Sequence, residues 1–262
     1  MEKDKKTIAL VNVTMNAVNP MIRYLTKHAP EWKVRTYLDS YLLEKVGIEG
    51  KVTDDSVGRM LDMIAKACKD GADAVLVTCT IFSAFQPYFS KIFSVPILTP
   101  DGAMLDEVSK KTGKKAIICT FHGTVEITRN QYVKYCQKNS MPEDADIYTV
   151  PDAFAAAAKS DMETCWRIIR EKVQELDRQY DHIVLAQISM AGAADGLSTK
   201  HAKVYTSPQS AVEAIRETLD SSYTFCVSGC GDVDSACLAY CSVKSRKDAI
   251  CSSARDSDRQ AT

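Results

Sequence analysis

The chain has 262 residues, 45% of them hydrophobic, and its 33 Lys and Arg against 34 Asp and Glu leave a formal net charge of −1. That balance gives no electrostatic footprint for a nucleic acid or an anionic membrane surface, and no apolar run is long enough to span a bilayer. The length suffices for one large domain or two small lobes with a real core, and the charged start, which runs straight into a strand, sets the expectation of a cytoplasmic protein.

Short β-branched runs alternate with helical patterns, the signature of an α/β protein with mainly parallel sheet. Thr7 to Val13 reads as a strand, Asn19 to Lys27 as a helix opened by Asn-Pro, and Lys33 to Tyr37 as a second strand. Ser56 to Lys69 is an amphipathic helix with Val57, Met60, Leu61, Ile64, Ala65 and Cys68 on one face, stopped near Gly71. Ala74 to Val77 follows as a strand, Ser83 to Lys91 as a helix, and Pro96 to Thr99 as a short strand leading into a helix that ends near Lys111.

From Lys114 the order begins again. Thr7-Ile-Ala-Leu-Val-Asn aligns with Lys115-Ala-Ile-Ile-Cys-Thr, Asp73-Ala-Val-Leu-Val-Thr-Cys79 with Asp181-His-Ile-Val-Leu-Ala-Gln187, and Val95-Pro-Ile-Leu-Thr-Pro100 with Lys203-Val-Tyr-Thr-Ser-Pro208, each at an offset of 108. Equal spacing at three strands reads as an internal duplication. It divides the chain into a first lobe over 1–112, a second over 113–205, a segment 206–222 that packs back on the first, and a Cys- and Ser-rich appendage over 223–262. Ligands of open parallel sheets sit at the carboxyl ends of strands, so two facing lobes create a cleft lined by equivalent loops. Cys79 is then opposite Gln187, and Thr14 opposite His122.

Ten cysteines would mark a disulfide framework in a small secreted chain; here Cys68, Cys119, Cys136 and Cys165 lie within periodic helix or strand patterns and read as reduced thiols. Cys226, Cys230, Cys237, Cys241 and Cys251 crowd the end of the chain at spacings that match no tight zinc pattern, and no histidine follows His201, so no metal site is assigned. "SGCGD" at Ser228 to Asp232 lacks a preceding strand and the G-x-G-x-x-G spacing, which leaves no nucleotide fingerprint.

Two explanations stand at Cys79. Most free cysteines are small buried hydrophobes, but one at a strand end before a helix start has amides that favour the thiolate and draw its pKa towards neutrality. A phosphate loop of the C-x5-R type needs arginine where Phe85 stands, and a cysteine hydrolase needs a histidine base, which His122 could supply across the two-lobe cleft. Asn12, Thr14, Thr80, Thr120, Gly123, Thr124 and Ser189 cluster at strand ends and helix starts. Such groups suit a substrate carboxylate, and equally suit helix caps. His28, His182 and His201 need only surface roles.

The stretches "IALVNVTMNAVNP", "ADAVLVTCT", "VPILTPDGAM", "KKAIICTFHGTVEITRNQY", "IVLAQISMAG" and "VYTSPQSAVEAI" resemble the aspartate/glutamate racemase superfamily over roughly residues 6 to 220. That group includes amino-acid and hydantoin racemases, maleate isomerases and arylmalonate decarboxylases. The resemblance implies an isomerase that works without a cofactor at the carbon next to a carboxylate, with a small carboxylate-bearing substrate and a homodimeric assembly. It implies one cysteine from each lobe, one taking a proton and the other delivering one. This chain keeps Cys79 and carries Gln187, which has no titratable proton, at the second position. His122 is the remaining candidate for a second acid or base. Amino-acid racemisation is the leading expectation; a single-cysteine decarboxylase, a cis-trans isomerase, or a carboxylate-binding protein without catalysis are the alternatives.

Overall fold

The computed structural model describes residues 5–228, with side chains up to residue 220, so Cys230, Cys237, Cys241 and Cys251 of the appendage lie outside the described residues. The first half runs β1 (Thr7–Asn12), α1 (Met15–His28), β2 (Lys33–Leu38), α2 (Ser40–Glu49), α3 (Asp54–Lys69), β3 (Ala74–Val77), α4 (Thr80–Ser83), α5 (Gln86–Ile92), β4 (Ile97–Leu98) and α6 (Pro100–Ser109). The second runs β5 (Lys115–Cys119), a 3-10 turn (His122–Thr124), α7 (Val125–Lys138), β6 (Ala145–Thr149), α8 (Pro151–Ala158), α9 (Met162–Leu176), β7 (His182–Leu185), a 3-10 segment (Ile188–Ala194), β8 (Lys203–Thr206) and α10 (Ser207–Ser228). Each half forms one parallel four-stranded sheet, ordered β2-β1-β3-β4 and β6-β5-β7-β8. The two-lobed α/β architecture expected from the repeat is therefore present.

The central strands are buried on both faces, which is why they read as continuous apolar runs rather than alternating ones. The edge strand β2, KVRTYL, retains exposed and partly exposed positions. Equivalent residues do equivalent work in the two halves. Asp73 accepts a hydrogen bond from the Thr7 amide at 2.8 Å, and Asp181, 108 positions on, accepts one from the Lys114 amide at 2.7 Å. Thr53 caps α3 by accepting from the Ser56 amide at 3.4 Å, while Asp161, again 108 on, caps α9 by accepting from Thr164 at 3.1 Å. On α3, Met60, Ile64 and Ala67 are buried, and Val57, Leu61 and Cys68 pack against them from the sides.

Helix α1 begins four residues earlier than Asn-Pro indicates. Thr14 is its N-cap, accepting from the Asn16 amide at 3.3 Å, and Pro20 lies inside the helix. Helix α2 gives no clear signal in the sequence, and the single helix expected over Ser83 to Lys91 is two, α4 and α5, separated at Ala84 and Phe85. Helix α10 runs past Leu219 to Ser228, through the expected start of the appendage at Tyr223. His28 is the last residue of α1 and stacks on Tyr24 with ring centroids 4.2 Å apart, rather than standing in a connection.

The helices that close each half reach the other half's territory. Met104, Leu105 and Val108 of α6 share a core with Ile117 and Cys119 of β5, Val184 of β7, Tyr205 of β8 and Tyr132 and Cys136 of α7. Arg216 of α10 donates to the His28 carbonyl at 2.6 Å and pairs with Glu31 at 2.9 Å. Cys79, Cys119, Cys136 and Cys165 are free thiols. No helix among the described residues is long and apolar enough to cross a membrane.

Candidate active site

Strand β3 is a buried four-residue run, and the chain leaves its carboxyl end through Thr78 and Cys79. Cys79 is the N-cap of α4, extended at φ −125° and ψ 116°, and only 7% exposed. Its carbonyl accepts from the Phe82 amide at 3.0 Å, the Ser83 amide at 2.9 Å and the Ser83 hydroxyl at 3.1 Å. Burial pushes the thiol up to about 11; the Phe82 and Ile81 amides oppose that rise and the nearby Asp101 adds to it. The expectation that helix-start amides bring this thiol towards neutrality is thus reversed, because desolvation outweighs two amide contacts.

Asp101, at the start of α6, is a site residue that sequence reading missed. Its carboxyl is buried, without an ion pair among the described residues, and burial raises its pKa above the ordinary carboxylate range. Oδ1 accepts from the Ser83 hydroxyl at 2.6 Å and the Gly102 amide at 3.0 Å, while Oδ2 is buried without a partner. Ser83 has one proton and two neighbouring acceptors, the Cys79 carbonyl and Asp101. The Ser83 hydroxyl lies within reach of both and donates to one of them at a time. In the sequence, Asp101 looks like a first-turn acid of a Pro-opened helix. The repeat offers the only hint, since position 209 is Gln and position 191 is Ala where the first half has Asp101 and Ser83.

The second half ties down Gln187. Its Oε1 accepts from the Thr120 amide at 3.0 Å and the Thr120 hydroxyl at 3.4 Å, and its Nε2 donates to Thr124 Oγ1 at 2.8 Å. Thr124 in turn donates to the Phe121 carbonyl at 2.7 Å. The structure therefore brings Thr120, Thr124 and Gln187 together as one network closed within its own lobe. Cys119, at the end of β5, is a second buried thiol beside this network, raised by burial and opposed by neighbouring groups that include Gln187.

The remaining expected residues divide. The Asn12 amide is consumed internally: Nδ2 donates to the carbonyls of Leu10 at 3.0 Å and Tyr37 at 3.2 Å, and Oδ1 accepts from Thr78 at 2.5 Å. Thr14 serves as the α1 cap, and Thr80 opens α4 half-buried. Ser189 is half-buried and its carbonyl accepts from Trp166 Nε1 at 3.0 Å. Gly123 leaves room for the Phe121 ring, which a Cβ there would meet at 2.5 Å. His122 is exposed, and its imidazole has no hydrogen bond among the described residues. Phe121 stacks on Phe154 at 4.9 Å, both 44% exposed, and Met15, Leu38 and Tyr41 are also exposed. All five lie at or beyond the carboxyl ends of β1, β2, β5 or β6.

Helix α7 presses close to this region from the second half. A Cβ on Gly102 would lie 2.7 Å from the Tyr135 hydroxyl and against Thr99 Oγ1. Gly102→Ala is expected to cost about 1–3 kcal/mol of stability by overpacking, read as a lowered urea midpoint with unchanged slope.

The Asp/Glu/Hydantoin racemase family model matches residues 11–215 of the chain. The chain belongs to that family. No curated protein matches it in sequence. Among solved structures, the aspartate racemase of Picrophilus torridus aligns at 13% identity over 82% of this chain and 94% of its own, with a TM-score of 0.64. Glutamate racemase isoform RacE1 of Bacillus anthracis aligns at 12% identity over 84% of each chain with a TM-score of 0.64. Allantoin racemase of Klebsiella pneumoniae aligns at 13% identity over 83% of this chain and 89% of its own with a TM-score of 0.62. At such identities the likeness is one of fold, and the three relatives differ in what their names say they racemise. For a member of the racemase family, the carboxyl ends of β1, β3, β5 and β7, where Cys79 and Gln187 stand, are the region to search for chemistry.

Proposed function

We propose that the chain is a cofactor-independent enzyme that transfers a proton at the carbon next to a carboxylate, with Cys79 as the proton carrier and an amino acid or related small acid as substrate. The observation that carries this reading is the asymmetry of the two equivalent positions. One holds a thiol behind which a buried acid and a serine are hydrogen-bonded; the other holds an amide that cannot titrate and is locked to its own lobe. A thiol raised to about 11 keeps its proton at neutral pH, so Cys79 is furnished first as an acid.

Family membership favours racemisation, in which the α-proton leaves on one face and a proton arrives on the other. His122, exposed at the repeat position of Thr14, is the proposed second group in that case, and Thr14, Thr80 and Ser189 are the proposed contacts of the carboxylate. The lone thiol favours a second reading: protonation of a single face, as after loss of carbon dioxide from a substituted malonate. The exposed apolar side chains around the strand ends support a substrate with an apolar substituent in either case. No cofactor or metal enters either scheme.

Incubation in D2O with a panel of amino acids and aryl-substituted acids, followed by NMR and chiral analysis, separates the readings. α-Deuteration with loss of optical purity is the racemase outcome, and singly deuterated product of one hand with carbon dioxide release is the decarboxylase outcome. Binding of these acids with neither product would make the chain a carboxylate-binding protein and sink the proposal.

A further inference from the structure

We propose a second small-molecule site, for a monoanion with a flat apolar body, in the cavity of about 660 Å³ between α1 and the 188–196 region, α9 and α10. Neither Cys79 nor Gln187 lines it, although Met15, named above at the strand ends, does, and the binding tested below does not require the reaction assigned above. One wall is α1, which presents Arg23 and Lys27 one turn apart, with Tyr24 between them. Both cations are exposed, and neither has a hydrogen bond or ion pair among the described residues. The facing wall is half-buried Met162 and Trp166, with Asp195 the acid among the lining residues. Glu213 lies near Tyr24 and accepts from Gln209 at 3.2 Å.

The aromatic wall has no counterpart in the first half: α3 and α9 keep the 108 spacing, and Trp166 stands where α3 has Gly58. A cationic wall opposite an aromatic one suits an anion whose apolar body lies against Met162 and Trp166.

The probe is 1-anilinonaphthalene-8-sulfonate, with N-phenyl-1-naphthylamine as its uncharged counterpart. The chain has two tryptophans, so Trp32→Phe leaves Trp166 as the sole donor for energy transfer to bound probe. Saturable quenching of Trp166 by the sulfonate is expected. In the Arg23→Ala/Lys27→Ala variant its affinity should fall at least about tenfold, the effect should shrink at high salt, and the neutral probe should bind weakly and equally to both proteins. Unchanged sulfonate affinity in the double variant, binding of the neutral probe as tight as that of the sulfonate, or quenching that never saturates would each overturn the site.

Discussion

Cys79→Ala is expected to lower proton transfer to substrate by at least about a thousandfold, the scale of a positioned acid or base, while the urea midpoint moves little because a thiol is a small group to remove. The pH dependence distinguishes the acid from the base role. With the thiol raised to about 11, the free enzyme at pH 7 holds about one thiolate in ten thousand molecules. If Cys79 must first take the α-proton, kcat/KM for deuterium exchange should climb about tenfold per pH unit up to the thiol's own range. If Cys79 only delivers a proton to a carbanion made by another route, the rate should stay level across the same window and fall when the thiol ionises. Cys79→Ser keeps the shape of the site and should not restore either profile, since a hydroxyl at this depth does not ionise in that range. Exchange that survives in Cys79→Ala would end the assignment.

The duplication was legible because its strands are anchored by the same residues at the same spacing. β1 and β5 start at residues 7 and 115, and β3 and β7 at 74 and 182, so the apolar runs could be laid over one another without knowledge of the helices. β2 and β6 start at 33 and 145, a different spacing, and the loops around them hid that pair. The N-terminus of α1 was misread because Asn-Pro is a strong local signal, while the operative one is Thr14 accepting from Asn16.

The site was legible as positions and not as directions. Cys79 and Gln187 fall at the carboxyl ends of β3 and β7, as the repeat indicates, but no pattern of residue types reveals that Asn12 spends its amide on Leu10, Tyr37 and Thr78, or that Gln187 is tied to Thr120 and Thr124. Side-chain orientation is set by tertiary neighbours, and here those neighbours convert expected substrate contacts into internal ones. Burial has the same standing. The amides at the start of α4 are visible in sequence, whereas the apolar packing that overrides them, with Phe82 and Phe89 in the same core as Cys79, is a property of the folded lobe.

Asp101 supplies the sharpest stability test, because its charge state is linked to folding. Its carboxyl is buried with one oxygen unpartnered and its pKa is raised, whereas in the unfolded chain it titrates near 3.9. Between those two values the unfolded chain has released a proton that the folded chain still holds. Unfolding stability therefore falls as pH rises, by about 1.4 kcal/mol per pH unit for this one group, until the folded pKa is reached and the loss levels off. Asp101→Asn removes the titration and leaves Nδ2 to donate to Ser83 in the proton's place. Its stability relative to the parent should thus increase with pH above the unfolded carboxyl's range, measured by urea unfolding of both proteins from pH 4 to 8. Asp101→Ala, with no donor for Ser83 and a cavity beneath it, should be less stable than Asp101→Asn at every pH. A stability difference between parent and Asp101→Asn that does not change with pH would mean that the carboxyl titrates normally in the folded protein. Ser83 would then donate to an ionised Asp101, and the Cys79 carbonyl would rest on the α4 amides alone.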